Sequence, residues 1–265
     1  MNMKTALITG AYGGMGRALA ERLSRLGYRV YALDKFTESS DNENIIPLEA
    51  DVSDGKSVEA AISKIDGEIS VLVHFAGIYM LDSLVEMSEE AFERIFDINL
   101  KGVFLVNKAI LPKLARGGKI IITTSELAPL DPLPFTGIYA VSKAALDKYA
   151  YSLRMELSLL DISVSVLRAG AVDTGMIGVS CEALDAFCKK TELYSVSAES
   201  FRRVVDSVEA RRVPPGKIAA KVEKIIKKKS PRFAYAINRN PLLLLLNALP
   251  KGLQVFIIKK ILKRK

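Results

Sequence analysis

The 265-residue chain has one histidine, His74, and two cysteines, Cys181 and Cys188. A single histidine takes a Ser-His-Asp triad and a histidine-built metal site out of consideration. Two cysteines separated by six residues match neither a disulfide framework nor a zinc pattern, which points to a reduced, cytoplasmic protein. No apolar run approaches the roughly 18 residues of a membrane-spanning helix. The apolar stretch within residues 1–10 is too short for a signal peptide and reads as a strand. Acidic residues are nearly missing from the end of the chain. Residues 211–265 carry 16 Lys/Arg and only Glu223, whereas residues 1–210 carry 22 Lys/Arg against 29 Asp/Glu. The net charge of +8 therefore belongs to the tail, and no nucleic-acid partner is expected of the chain as a whole.

What the chain does have is core material, with 49% hydrophobic and 26% charged residues. Short apolar runs at 4–9, 29–33, 45–50, 71–75, 119–124 and 163–168 read as strands and alternate with segments of helical apolar spacing. A seventh strand is expected at 232–236. Helices are expected after Gly16, over Val58, Ile62 and Ile65 with Ser53 as cap, across 88–115 with Asn99 and Gly102 interrupting it near the middle, from Tyr139 to about residue 160, and at 218–228. Alternation without a linker through residue 170 argues for an α/β fold, a doubly wound parallel sheet with helices on both faces.

The first strand runs directly into Thr9-Gly10-Ala11-Tyr12-Gly13-Gly14-Met15-Gly16, and a helix follows. Strand, glycine-rich turn and helix form the first half of a dinucleotide-binding unit. Gly10 permits the tight turn, Gly14 lets backbone N–H groups approach a pyrophosphate, and Gly16 lets the helix pack close. Asp34 ends the second strand, eighteen residues past Gly16. A carboxylate there accepts from ribose hydroxyls and repels a 2′-phosphate, which favours NAD over NADP. The neighbouring Lys35 works against that repulsion, so NADP stays open. His74, at the end of the fourth strand, reads as a structural or cofactor-contacting group.

Tyr139-Ala140-Val141-Ser142-Lys143 places a phenol and an ammonium four residues apart, on one face of a helix. A free phenol titrates near pH ~10, and a neighbouring cation favours its ionised form. Lowering it by ~3 units requires ~4 kcal/mol, which the lysine and a positively charged nicotinamide ring together are expected to supply. A tyrosine so adjusted exchanges protons near neutral pH, as interconversion of an alcohol and a ketone requires.

Together, Thr9-Gly10-x-x-x-Gly14-x-Gly16, the Asn99 of Asp97-Ile98-Asn99-Leu100, Ser125 and Tyr139-x-x-x-Lys143 resemble the short-chain dehydrogenase/reductase family. The glycine spacing fits its compact branch, and the likeness covers roughly residues 3–180. The resemblance implies a Rossmann-type fold and an NAD- or NADP-linked oxidoreductase. It implies Tyr139 as general acid/base and Lys143 as the holder of the nicotinamide ribose. Ser125 would bond the substrate oxygen, and Asn99 would anchor a proton relay to Lys143. The implied cofactor contacts are Thr9, Gly10, Tyr12, Gly14, Met15 and Gly16, then Asp34, with Asp51 and Val52 at the adenine. Ala76 and Gly77 would form the ribose-side wall, and Val172 and Thr174 would hold the carboxamide. The chain departs from the family pattern in three places. His74-Phe75 stands where Asn-Asn is usual, and Ala169 where proline is common. Ser125 lies fourteen residues before Tyr139, one more than usual, which makes Thr124 the alternative hydroxyl. The resemblance also implies a homodimer or homotetramer built through the helices around 88–115 and 139–160.

Beyond residue 174, helices over 175–210 are expected to form a substrate lid, with Met176, Ile177, Leu184, Phe187, Leu193, Tyr194 and Phe201 as apolar material. Residues 1–240 would make one catalytic domain and 241–265 a basic amphipathic extension. In that extension Leu253, Phe256, Ile257, Ile261 and Leu262 form an apolar stripe beside Lys259, Lys260, Lys263, Arg264 and Lys265. Such a helix either packs on the body or lies on an anionic membrane surface. The tail resembles those of steroid and retinol dehydrogenases, and with the apolar lid it points to a hydrophobic small-molecule alcohol or ketone. The function expected is NAD-dependent hydride transfer on such a substrate. An NADP-dependent lipid-ketone reductase and a non-catalytic nucleotide sensor on the same fold are the alternatives.

Overall fold

The computed structural model describes residues 4–38, 40–209 and 212–263, without the side chains of 175–182 and 206–209. Met176, Ile177, Cys181, Arg264 and Lys265 thus lie outside the described side chains.

Strand β1 (Thr5–Thr9) is a continuous buried run, as a parallel strand covered on both faces must be. The chain then alternates through α1 (Gly14–Arg25), β2 (Arg29–Asp34), β3 (Ile45–Glu49), α2 (Gly55–Ser63) and β4 (Ile69–His74). After β4 come α3 (Glu89–Phe96), α4 (Gly102–Ile110), β5 (Leu114–Ser125), α5 (Gly137–Ser158) and β6 (Ser163–Ala169). The remainder is α6 (Gly175–Lys190), α7 (Ser195–Glu209), α8 (Pro215–Ile226), β7 (Ala234–Ile237), α9 (Pro241–Asn247) and α10 (Lys251–Leu262). The strands form one parallel sheet in the order β3-β2-β1-β4-β5-β6-β7. The order reverses between β1 and β4, and in such sheets the crevice beyond the carboxyl ends at that point takes the ligand.

Two buried clusters cover the faces of the sheet. Leu19, Leu23, Ile218 and Val222 of α1 and α8 pack on one side. Val58, Val106, Leu146 and Ala150 of α2, α4 and α5 pack on the other. A third cluster lies over the carboxyl edge and joins Leu81 and Phe135 to Leu184, Phe187, Phe201 and Leu262.

Three local expectations need correction. The segment 88–115 is not one helix. Ser88 caps α3, a π-turn spans Asp97–Lys101, α4 ends at Ile110, and Leu111–Lys113 forms a 3₁₀ turn before β5 begins. Asn99 sits in the π-turn with its side chain bonded to the backbone of Ile78, and Pro112 closes the helix because it has no N–H to donate. Second, Asp54 and not Ser53 caps α2. The Asp54 carboxylate accepts from Lys56 N at 2.9 Å, while Ser53 Oγ turns to Asp51 Oδ1 at 2.6 Å. Third, the inward face of α10 is Gln254, Ile258 and Leu262, four residues apart, and Leu253, Phe256 and Ile261 of the expected stripe are exposed. The inner face packs on the α7 side, so the helix is apolar on both sides. The other boundaries shift by up to five residues, with β5 starting at Leu114, β7 displaced toward Ile237 and α8 starting at Pro215.

Candidate active site

The glycine-rich turn is locked by contacts that leave no room for side chains. Gly10 has φ +66°, and a Cβ there would stand 2.6 Å from Ala76 N. A Cβ on Gly16 would run into the Gly10 carbonyl, and one on Gly14 would meet Thr174 Cγ2 at 2.8 Å. Thr9 is buried, and its Oγ1 accepts from Ala76 N at 3.3 Å, which ties β1 to the end of β4. Beside this turn lies a cleft of about 580 Å³, bordered by Tyr12, Met15, Ala76, Gly77 and Thr174. Its far end is formed by Asp34, Lys35, Asp51 and Val52.

Asp34 Oδ2 accepts from Tyr12 N at 2.9 Å and Oδ1 from Lys35 N at 2.8 Å, so the carboxylate also braces the turn. The Lys35 ammonium bonds Asp51 Oδ2 at 2.8 Å. That bond and the Ser53 hydroxyl hold Asp51 down to about 2. Arg17 is paired with Glu38 at 2.8 Å. Val52 packs under Gly102, where a Cβ would come within 3.0 Å of its Cγ2.

The cleft continues into a second cavity of about 200 Å³, the two sharing Met15, Gly77, Tyr79 and Thr174 among their walls. Ser125, Tyr139, Lys143 and Val172 face this cavity. Tyr139 and Lys143 lie one turn apart near the start of α5, with Lys143 buried and Tyr139 half-buried. Lys143 Nζ donates to the Thr123 carbonyl at 3.3 Å and stands 5.8 Å from the centre of the Tyr139 ring. The Tyr79 ring leans on Tyr139 with centroids 4.9 Å apart. Asn99 and Lys143 meet across Gly77, whose absent side chain would lie 3.0 Å from Asn99 Oδ1 and 3.3 Å from Lys143 Nζ. Asn99 Oδ1 accepts from Ile78 N at 2.8 Å, and its Nδ2 donates to Ile78 O at 3.0 Å and Ser142 Oγ at 3.1 Å.

The chain's own groups do not acidify the phenol; the acidification expected from the sequence included the charge of a nicotinamide ring as well as Lys143. Burial pushes Tyr139 up to about 12, a Ser125 hydrogen bond draws it down, and the negative charge of Glu126 raises it further. Burial likewise lowers Lys143 to about 8. Desolvation disfavours the charged form of each group, and the lysine's hydrogen bond goes to the Thr123 carbonyl. The serine question is answered by partners. Thr124 Oγ1 faces Asp147 at 3.3 Å, and Asp147 is held by Arg168 at 2.7 Å, which leaves Ser125 as the hydroxyl at the phenol. His74 is buried and bonds Asn107 Oδ1 at 3.1 Å, and burial drops it to about 4, so it is a neutral structural group.

Reading the chain from its sequence missed Tyr79, Glu126 and Leu243, all of which line the second cavity. An acid set between Ser125 and Leu127 was the one available signal for Glu126.

A parallel sheet with a glycine cradle at its switch point, opening onto a buried Ser-Tyr-Lys cluster, defines an oxidoreductase of the NAD(P)-dependent kind. The chain belongs to the short chain dehydrogenase family, whose model matches residues 4–184. Oxidoreductase UcpA of Salmonella typhimurium is 35% identical over 186 residues, covering 65% of this chain and 71% of that protein. The 3-ketodihydrosphingosine reductase of Bacteroides thetaiotaomicron is 30% identical over 241 residues, covering 88% of this chain and 87% of the relative. An alcohol dehydrogenase of the archaeon Thermococcus sibiricus, solved with 5-hydroxy-NADP, is 28% identical with a TM-score of 0.70 and covers 90% and 99% of the two chains. The bare glycine turn and the side-chain-free wall at Gly77 fit the nucleotide this family uses.

Proposed function

We propose that the protein transfers hydride between NAD and an apolar secondary alcohol or ketone. The observation that carries this reading is the convergence of Ser125, Tyr139 and Lys143 on a cavity continuous with the glycine cleft. Bound nicotinamide supplies the hydride acceptor or donor, and the rest falls to this chain. Gly10, Gly14 and Gly16 admit the pyrophosphate, Asp51 and Val52 border the adenine end, and Val172 and Thr174 the nicotinamide end. Ser125 Oγ donates to the substrate oxygen, and Tyr139 Oη gives or takes its proton. Lys143 orients the ribose and, with Asn99 across Gly77, lies on the path that resupplies the proton.

Asp34 supports NAD, and Lys35, the basic neighbour that would favour a 2′-phosphate, is paired with Asp51. The cavity supports an apolar substrate, since α7 and α9 contribute Phe201, Val204, Val205 and Leu243 to its walls, with α6 and α7 acting as a lid. The match that runs through most of the chain, to a reductase of a long-chain ketone, supports the same class. Exposed Phe104, Val141, Tyr151 and Met155 on α4 and α5 support a homodimer or homotetramer.

The outer faces of α9 and α10 favour a second feature. Leu242, Leu245, Leu253, Val255 and Phe256 are exposed beside Lys259, Lys260 and Lys263. No helix among the described residues is long and apolar enough to cross a membrane. These helices would instead lie on an anionic surface next to the cavity that Leu243 lines. Sedimentation with phosphatidylglycerol vesicles tests this, and a chain ending at Ile237 that pelleted equally would refute it.

A screen of steroids, retinoids and long-chain ketones with NADH and NADPH, read by cofactor absorbance, tests the reaction itself. Turnover of apolar ketones with NADH in preference to NADPH is the expected result. Turnover with NADPH alone would move the chain to the NADP-dependent lipid-ketone reductases, and none with any ketone would leave a nucleotide sensor.

A further inference from the structure

Glu126 has no part in the mechanism above, yet it lines the cavity that holds Ser125 and Tyr139. Only 7% of it is exposed. Its Oε2 accepts from Asn240 N at 2.6 Å, the backbone group that opens α9. Its Oε1 lies over Gly170, where a Cβ would come within 3.0 Å of it, and makes no hydrogen bond among the described residues. Arg239 is the cation whose field reaches the carboxylate; it is exposed and forms no ion pair with Glu126 among the described residues.

An acid needed only to anchor α9 would require one acceptor, which an amide supplies equally well. A second carboxylate oxygen left without a donor at the wall of a largely apolar cavity is costly unless a cation meets it. Burial already holds Glu126 above the ordinary carboxylate range. Its charge also opposes ionisation of Tyr139, so the group is adverse to the proton chemistry until that charge is answered.

We propose that Glu126 selects substrates bearing a cationic amine near the reacting carbon, making this an oxidoreductase of apolar-chain amino ketones or amino alcohols. This rests on the hydride-transfer reading for the reaction, but the binding of the amine stands on its own. The ammonium would donate to Glu126 Oε1 while the reacting oxygen faces Ser125 and Tyr139. By neutralising Glu126, it would also relieve the repulsion that keeps the phenol protonated.

The test is calorimetric binding of decylamine and 1-decanol to the full chain at neutral pH, with wild type and Glu126→Gln. The glutamine keeps an acceptor for Asn240 N, and unchanged thermal melting checks that the fold survives. Wild type should bind the amine at least about tenfold more tightly than the alcohol, as a charge-assisted bond in a dry site implies. Glu126→Gln should collapse that ratio to about unity. A smaller ratio in wild type, no detectable amine binding, or a ratio preserved in the variant would overturn the assignment. Turnover separates this from the reaction itself. Reduction of simple ketones with a flat binding ratio would leave the hydride-transfer reading standing and remove the role of Glu126. A steep, Glu126-dependent ratio with no turnover of any ketone would do the reverse.

Discussion

At the glycine turn, Gly10 and Gly16 are fixed by backbone atoms and Gly14 by the Thr174 side chain, and residues 9–16 alone display the pattern. Over the adjoining cavity, Phe135, Phe187, Phe201 and Leu262 meet from four separate segments, with Phe135 against Phe187 at 4.6 Å and against Phe201 at 5.3 Å. The first region answers to a nucleotide backbone and tolerates almost no change in shape. The second answers to whatever the cavity holds, and side-chain packing alone shapes it. A chain can therefore declare its cofactor class in eight residues while its substrate stays hidden in dispersed ones.

Breaking the packed region should leave the nucleotide region intact. Phe201→Ala removes a fully buried ring and should cost about 3–5 kcal/mol of local stability. Hydrogen exchange over α6 and α7 would show it, with nucleotide affinity within about threefold of wild type. A parallel collapse of nucleotide binding would mean that the two regions are one cooperative unit.

Next in size is an effect beneath the nucleotide region. His74 is held neutral by burial, at about 4 against 6.5 when unfolded. Between those values the unfolded chain binds the extra proton, so stability is complete above pH 6.5 and falls as pH drops toward 4. The loss is roughly 3 kcal/mol at most. Denaturant titrations across that range should flatten in His74→Asn, whatever its overall stability. An equal slope in the variant would assign the acid sensitivity elsewhere.

The smallest effect sharpens the cofactor side. Asp34→Ala should shift the NADH-over-NADPH preference by about tenfold, some 1.4 kcal/mol, with little change in unfolding. Unchanged selectivity would clear Asp34 of that role and leave it as a brace for Tyr12 N.

What could be read in advance follows the same division. The seven strands, the glycine cradle and the Tyr139–Lys143 spacing were visible because each depends on local period or backbone conformation. The π-turn at Asn99 was not, since it is imposed by bonds to Ile78 and Ser142 from distant segments. The cap on α2 was misplaced by one residue because both Ser53 and Asp54 are good caps, and only Asp51 decides which is free. The burial that raises Tyr139 could not be read from spacing, which reveals a neighbouring cation but not its surroundings. The inward face of α10 was hidden because the helix carries apolar residues on more than one side, and only the partner helix selects which side is buried.

The central claim is that the Tyr139 hydroxyl carries the proton for hydride transfer beside a preformed nucleotide cleft. Tyr139→Phe removes that hydroxyl and keeps the ring against Tyr79. Measured on whichever ketone the wild type reduces, its turnover should fall by about 10²–10⁴, with the nucleotide dissociation constant within about threefold. A variant that kept wild-type turnover with the same nucleotide affinity would contradict the account.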